Sequence, residues 1–197
     1  MNAPASNTGS GNGDAANAQA GNGGAQINLH DYIAAVADFP KPGILFRDIT
    51  PLLADPAAFR HCIERLAEVV SRHGATDIIG IESRGFMFGA ALSHSLQLPF
   101  HVVRKPGKLP RATYSEQYAL EYGEDSLHLH VDALASGARV AVIDDLIATG
   151  GTAEATCRLI RKSGAELACC AFVIELSGLS GRARLADCPV ESLLVFD

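Results

Sequence analysis

From Ile27 onward the apolar positions switch repeatedly between two spacings. Phe59, Cys62, Ile63, Leu66, Val69 and Val70 recur at three- and four-residue intervals, which lines one face of a helix, and His73-Gly74 supplies its stop. "TDIIGI", ending at Ile81, is a short continuous apolar run and predicts a strand. The following "ESRGFMFGAALSHSLQL" has the small and apolar residues of a helix lying close against a sheet. "FHVV" to Val103 and "RVAVID" from Arg139 predict the next strands, "TAEATCRLIRKSG" another helix and "ELACCAFVIEL" another strand. Such β-α-β alternation predicts an α/β fold with a mainly parallel central sheet flanked by helices.

Two stretches break the rhythm. Residues 1–26, "MNAPASNTGSGNGDAANAQAGNGGAQ", are almost wholly Gly, Ala, Asn and Ser. They offer too little apolar surface to offset the entropy of ordering, so a disordered tail is expected there, with a single domain over 27–197. Between Arg104 and His130, "KPGKLPRATYSEQ" has the composition of a mobile surface loop, and "YSEQYALEYGEDSLHLHV" alternates enough for a hairpin arm. A segment of this kind inside a compact α/β domain reads as a flexible hairpin lid.

Composition narrows the function classes. The 197 residues suffice for one core, and a net charge of −6 argues against general binding to nucleic acid or to an anionic membrane. An anionic ligand would have to be gripped by a local cluster of donors. No apolar run approaches the ~20 residues needed to span a bilayer, and the N-terminus lacks a basic start and an apolar stretch, so a cytoplasmic protein is expected. The five cysteines at 62, 157, 169, 170 and 188 have no metal-ligand spacing and read as buried reduced thiols. The seven histidines show no paired catalytic spacing and are assigned to the structural background.

The sharpest chemical signal is "VAVIDDLIATGGTAEA", Val140 to Ala155. The apolar run predicts a buried strand, so Asp144 and Asp145 are expected to emerge at its carboxyl end, the edge where open α/β sheets bind ligands. In Ala148, Thr149, Gly150, Gly151 and Thr152, the glycines remove side chains that would block a ligand, the threonines add hydroxyls, and the next helix aims its free amides back at the loop. That is a cradle for a monophosphate. The dipole contributes only ~0.3 to 1 kcal/mol at exposed sites, so amide and hydroxyl hydrogen bonds must carry the grip. No lysine follows, unlike a Walker A loop, and no Gly-x-Gly-x-x-Gly dinucleotide pattern is present. The two acids then serve as acceptors for the hydroxyls of a sugar whose phosphate sits in the cradle, with a place for hydrated Mg²⁺ beside them.

This stretch resembles the phosphoribosyl diphosphate signature of the type I phosphoribosyltransferases. "FPKPGILFRDITPLLADPAAFR", "IGIESRGFMFG", "VVRKPGKLP" and "YALEYG" resemble, in order, blocks of the adenine-specific branch of that family. The resemblance implies the family fold with a small hood and a lid, and transfer of ribosyl 5-phosphate from 5-phosphoribosyl 1-diphosphate to N9 of adenine, yielding AMP and pyrophosphate in purine salvage. It implies Mg²⁺ bound mainly through the diphosphate and water near Asp144 and Asp145, and a homodimer with its contact near the "ESRGF" block.

By the same resemblance, Ala148 to Thr152 hold the 5-phosphate, Asp144 and Asp145 the ribose hydroxyls, and Arg84, Arg104, Lys105 and Lys108 the pyrophosphate. Phe46 stacks on the purine, backbone groups of Leu45 and Arg47 read its edge, and Leu146 closes the other face. Glu121 contacts the imidazole side of adenine and Tyr122 helps close the site, so Glu121, Tyr122 and Arg84 are the expected catalytic residues. Competing expectations are an enzyme acting on hypoxanthine, guanine, xanthine or orotate, and a transcriptional regulator that keeps the pocket as a sensor. The latter would want a basic DNA-binding module, which residues 1–26 do not resemble.

Overall fold

The computed structural model describes residues 27–119 and 124–197. The expected tail, residues 1–26, lies outside them, as do Glu121 and Tyr122. After a short 3₁₀ turn, Leu29–Tyr32, strands β1 (Ala34–Ala37) and β2 (Leu45–Asp48) pair antiparallel into a small hood. Helix α1 (Thr50–Ala54) leads directly into α2 (Pro56–Arg72). Asp55 caps α2 by accepting from the amides of Ala57 and Ala58 at 2.9 and 2.8 Å, and Pro56 occupies the first turn, where its missing N–H costs nothing.

The core sheet is built from β3 (Asp77–Ile81), β4 (Phe100–Val103), β7 (Arg139–Ile147), β8 (Glu166–Leu176) and β9 (Val190–Phe196), in the order β4-β3-β7-β8-β9 with every neighbouring pair parallel. Helix α3 (Gly85–Leu96) follows β3, and α4 (Gly151–Lys162) follows β7. Strands β5 (Thr113–Ala119) and β6 (Glu124–His130) pair antiparallel as an arm.

Period-2 alternation sends adjacent strand residues to opposite faces. Ile78, Ala141, Ile143, Cys169, Ala171 and Val173 pack with α2 and α3, whereas Ile79, Val140, Val142, Cys170 and Phe172 pack with α4 and the β5–β6 arm. The vicinal Cys169 and Cys170 therefore point apart. All five cysteines are buried and unpaired, as expected from sequence. Cys170 Sγ has its thiol neighbours across layers, at 3.6 Å from Cys157 Sγ and 3.7 Å from Cys188 Sγ.

The structure adjusts two expectations. Asp144 and Asp145 line the cleft at the carboxyl end of β7, but the strand itself runs on to Ile147, because β8 continues beside it with Ile147 opposite Glu175. The stretch read as surface loop up to Gln117 is already strand from Thr113, held by a register in which Thr113 faces His130 and Gln117 faces Ser126. Strand β9 and the hood pair were not placed by the sequence pattern.

Candidate active site

The carboxyl ends of β3 and β7 open into a cleft of about 290 Å³, walled by Glu82, Arg84, Lys105, Tyr118, Asp144, Asp145, Leu146 and the loop from Ala148 to Thr152. Gly150 ends the loop at φ 81°, ψ −2° and precedes the first residue of α4, a left-handed conformation that glycine adopts without a Cβ penalty. No side chain caps α4. The amides of its first turn are thus available to an anion, with the helix dipole behind them.

Asp145 is 2% exposed. Arg84 Nε lies 3.1 Å from its Oδ2 but without hydrogen-bond geometry, so this buried carboxylate oxygen still lacks a donor. A ligand hydroxyl or a hydrated cation would supply one. Asp144 accepts from the Asp145 amide at 2.9 Å. Burial, then the charge of Asp145, pushes the Asp144 carboxyl well above the ordinary range; burial also raises Asp145, against the pull of Arg84. A Cβ at Gly85 would stand 2.6 Å from Ile143 O and 3.0 Å from Asp144 Oδ1, so α3 starts where only a glycine lets it approach β7.

Arg84 joins two compartments. Its guanidinium carbon lies 5.8 Å from the Phe46 ring centroid, and it also borders an apolar hollow of about 560 Å³ lined by Val36, Phe39, Phe46, Ile49, Leu53 and Met87. Leu45 is half exposed, and the Arg47 guanidinium sits 4.2 Å over the Phe196 ring.

The cations that follow β4 are organised by Glu82. Arg104 donates to both Glu82 oxygens at 3.3 Å and to Lys108 O at 3.3 Å, and the Lys105 amide donates to Glu82 Oε2 at 2.8 Å. Burial would raise the Glu82 carboxyl, but these donors outweigh it and hold it below the ordinary range. Lys105 alone of the three lines the cleft, its Nζ 3.4 Å from Asp125 Oδ2. Tyr118 donates to the same Asp125 at 3.2 Å.

The fold thus gathers Arg84, Lys105, Asp144, Asp145, Leu146 and residues 148–152 around one cleft, with Phe46 next door. Arg104 and Lys108 stand behind Lys105 rather than in the wall. Sequence reasoning missed Tyr118 and Asp125, whose residue types carry no signal until the arm pairs them across the strands, and it gave no role to Glu82.

Residues 48–193 match the model of the phosphoribosyl transferase domain. An adenine phosphoribosyltransferase from a Synechococcus strain is 56% identical over 87% of this chain and 100% of its own. Among solved structures, adenine phosphoribosyltransferase from Rhodothermus marinus superimposes with a TM-score of 0.81 at 51% identity, over 85% of this chain and 96% of that one. The enzyme from Saccharomyces cerevisiae, complexed with an imino-altritol bisphosphate and adenine, does so with a TM-score of 0.79 at 38% identity, over 84% and 96%. With both the family model and these relatives spanning most of its length, the chain belongs to the adenine phosphoribosyltransferases, within the phosphoribosyl transferase domain family.

Proposed function

We propose that the chain forms AMP by joining N9 of adenine to C1 of 5-phosphoribosyl 1-diphosphate. The C1–N9 bond forms as the C1–O bond to pyrophosphate breaks, and the N9 proton is lost. One observation carries the reading: a loop with a left-handed Gly150 and the uncapped N-terminus of α4 lie in the same cleft as a buried carboxylate oxygen that lacks a donor.

In this reading residues 148–152 hold the 5-phosphate and the Asp144–Asp145 pair takes the ribose hydroxyls. Those contacts bring the carboxylates closer to a cationic sugar as charge develops at C1, which favours the transition state over the ground state. Arg84 and Lys105, supported by Arg104 and Lys108, grip the departing pyrophosphate. Adenine lies on Phe46 with Leu146 opposite, its edge read by the backbone of Leu45 and Arg47. Glu121 and Tyr122 fall between β5 and β6 in sequence, outside the described residues. Their proposed roles are contact with the imidazole side of adenine and exclusion of water on closure.

Mg²⁺ fits this site as a companion of the diphosphate. Among the described residues no cluster of three or more ligands could cage a metal, whereas Asp144 and Asp145 present oxygens suited to its water shell. There the ion would neutralise charge on the leaving group. Among the described residues no helix is long and apolar enough to cross a membrane, and a cytoplasmic location accords with the reduced thiols. A homodimer with its contact beside the "ESRGF" block completes the proposal.

The test is AMP formation from adenine and 5-phosphoribosyl 1-diphosphate, with hypoxanthine and guanine as competing bases, with and without Mg²⁺. Gly150→Val is expected to abolish turnover, since a Cβ there would stand 2.5 Å from Gly181 O. Full activity in that variant, or equal use of a 6-oxo purine, would sink the reading.

A further inference from the structure

The 3₁₀ segment Gly181–Leu185 lies far from the loop Ala148–Thr152 in sequence, yet its first residue touches that loop. A Cβ on Gly181 would run into Ala148 O and stand 2.9 Å from Gly150 N, and a Cβ on Gly150 would stand 2.5 Å from Gly181 O. Two backbones are therefore in contact, with no side chain between them to yield. A wall this close fixes where the loop amides point.

The wall is itself fixed to the sheet. Arg182 forks onto Glu175 near the end of β8, Nε donating to Oε1 at 3.0 Å and Nη2 to Oε2 at 2.6 Å, and its Nη1 donates to Val190 O. Ser192 of β9 donates to Glu175 Oε2 at 2.7 Å. Glu175 is 9% exposed. The Arg182 guanidinium outweighs the effect of burial and holds that carboxyl below its ordinary range. Arg184 reaches the other side, its Nη1 3.4 Å from Glu154 Oε2 in the first turn of α4. An ammonium could not reproduce the two-pronged match to Glu175 together with the bond to Val190.

We propose that Gly181, anchored through the Arg182–Glu175 fork, is a positioning residue for the 5-phosphate: it sets the loop Ala148–Thr152 in its anion-binding shape without touching the ligand. This rests on the reading of that loop as the phosphate cradle. It assigns function to a segment that carries no recognisable motif.

The experiment uses the full chain and ribose 5-phosphate, which probes the cradle without the diphosphate. Gly181→Ala and Arg182→Lys are compared with Gly150→Ala by titration calorimetry, by KM for each substrate and by thermal unfolding. Gly181→Ala is expected to weaken ribose 5-phosphate binding about tenfold, less than the roughly 10²-fold that a misplacement of about 1 Å can cost. KM for 5-phosphoribosyl 1-diphosphate should rise alongside, with KM for adenine within about twofold of the parent. Arg182→Lys should shift the same two quantities by about threefold. It decides the matter if Gly181→Ala does not fold. Parental ribose 5-phosphate affinity in both wall variants, with weakened binding in Gly150→Ala, overturns the wall and leaves the cradle standing. Parental affinity in all three overturns both. Equal weakening of adenine and ribose 5-phosphate, with a lowered unfolding midpoint, also overturns the positioning role, because it marks a general loss of fold.

Discussion

Asp144 and Asp145 are carboxylates that the fold holds against their preference for water. The folded Asp144 carboxyl titrates above the unfolded value of about 3.9. The native state therefore binds the extra proton, and stability falls as pH rises from the unfolded value through the folded one. Asp144→Asn removes that cost. Its unfolding midpoint is expected to lie about 3 °C above the parent near roughly pH 8, with the gap closing toward about pH 4, as followed by calorimetry across pH. The same variant should lose about 10²-fold or more in kcat/KM for 5-phosphoribosyl 1-diphosphate, since an amide is a poorer acceptor for the ribose hydroxyls. A residue that improves function while costing stability is what an active-site acid looks like. Equal or lower stability for the amide across that pH range would remove the electrostatic account of the pair.

At the scale of elements, α4 works at both ends. Its N-terminus follows the loop proposed to hold the 5-phosphate, and its flank carries the β5–β6 arm. Arg158 donates to Glu116 at 3.1 Å and to Gln117 O at 2.8 Å, and Lys162 donates to Glu116 at 3.1 Å and to Ser115 O at 3.3 Å. Burial would raise the Glu116 carboxyl, but these cations hold it below the ordinary range. Arg158→Ala should loosen the arm without unfolding the domain: amide hydrogen exchange over Thr113–Tyr118 is expected to accelerate, and kcat to fall about threefold as closure slows. Unchanged exchange in that strand would mean the apolar contacts of Leu127 and Leu129 hold the arm by themselves. Helix α2 is a separate case, because its role is packing. Asp55→Ala removes the acceptor for two amides and should cost about 1 kcal/mol in thermal or denaturant unfolding, with KM for both substrates unchanged.

At the scale of the whole molecule, exposed apolar side chains gather on the hood and the adjacent α3: Val36, Phe39 and Met87 line the hollow beside Phe46, and Ile44 and Leu45 are exposed near them in sequence. If this side meets a second copy, Met87→Glu should shift the chain toward monomer in sedimentation, and a dimer unaffected by that charge would place the contact elsewhere. The strands β3, β4 and β8, the helices α2 and α4 and the glycine turn before α4 were legible in the sequence because each is announced locally, by period, by a run of apolar residues or by a turn chemistry within a few positions. Two adjacent acids followed by a glycine-rich turn were legible as a pattern for the same reason, since they are contiguous in the chain. What the chain by itself left undetermined is everything that depends on two distant segments meeting. The continuation of β7 past its acids needed β8 beside it, and the grouping of Arg104 and Lys105 needed Glu82 from the end of β3. The pairing of Tyr118 with Asp125 needed the arm's register. Gly181 offers no local reason to be glycine at all. Only packing its backbone against Ala148 and Gly150 creates one, because steric exclusion acts between neighbours in space, whichever part of the chain supplies them.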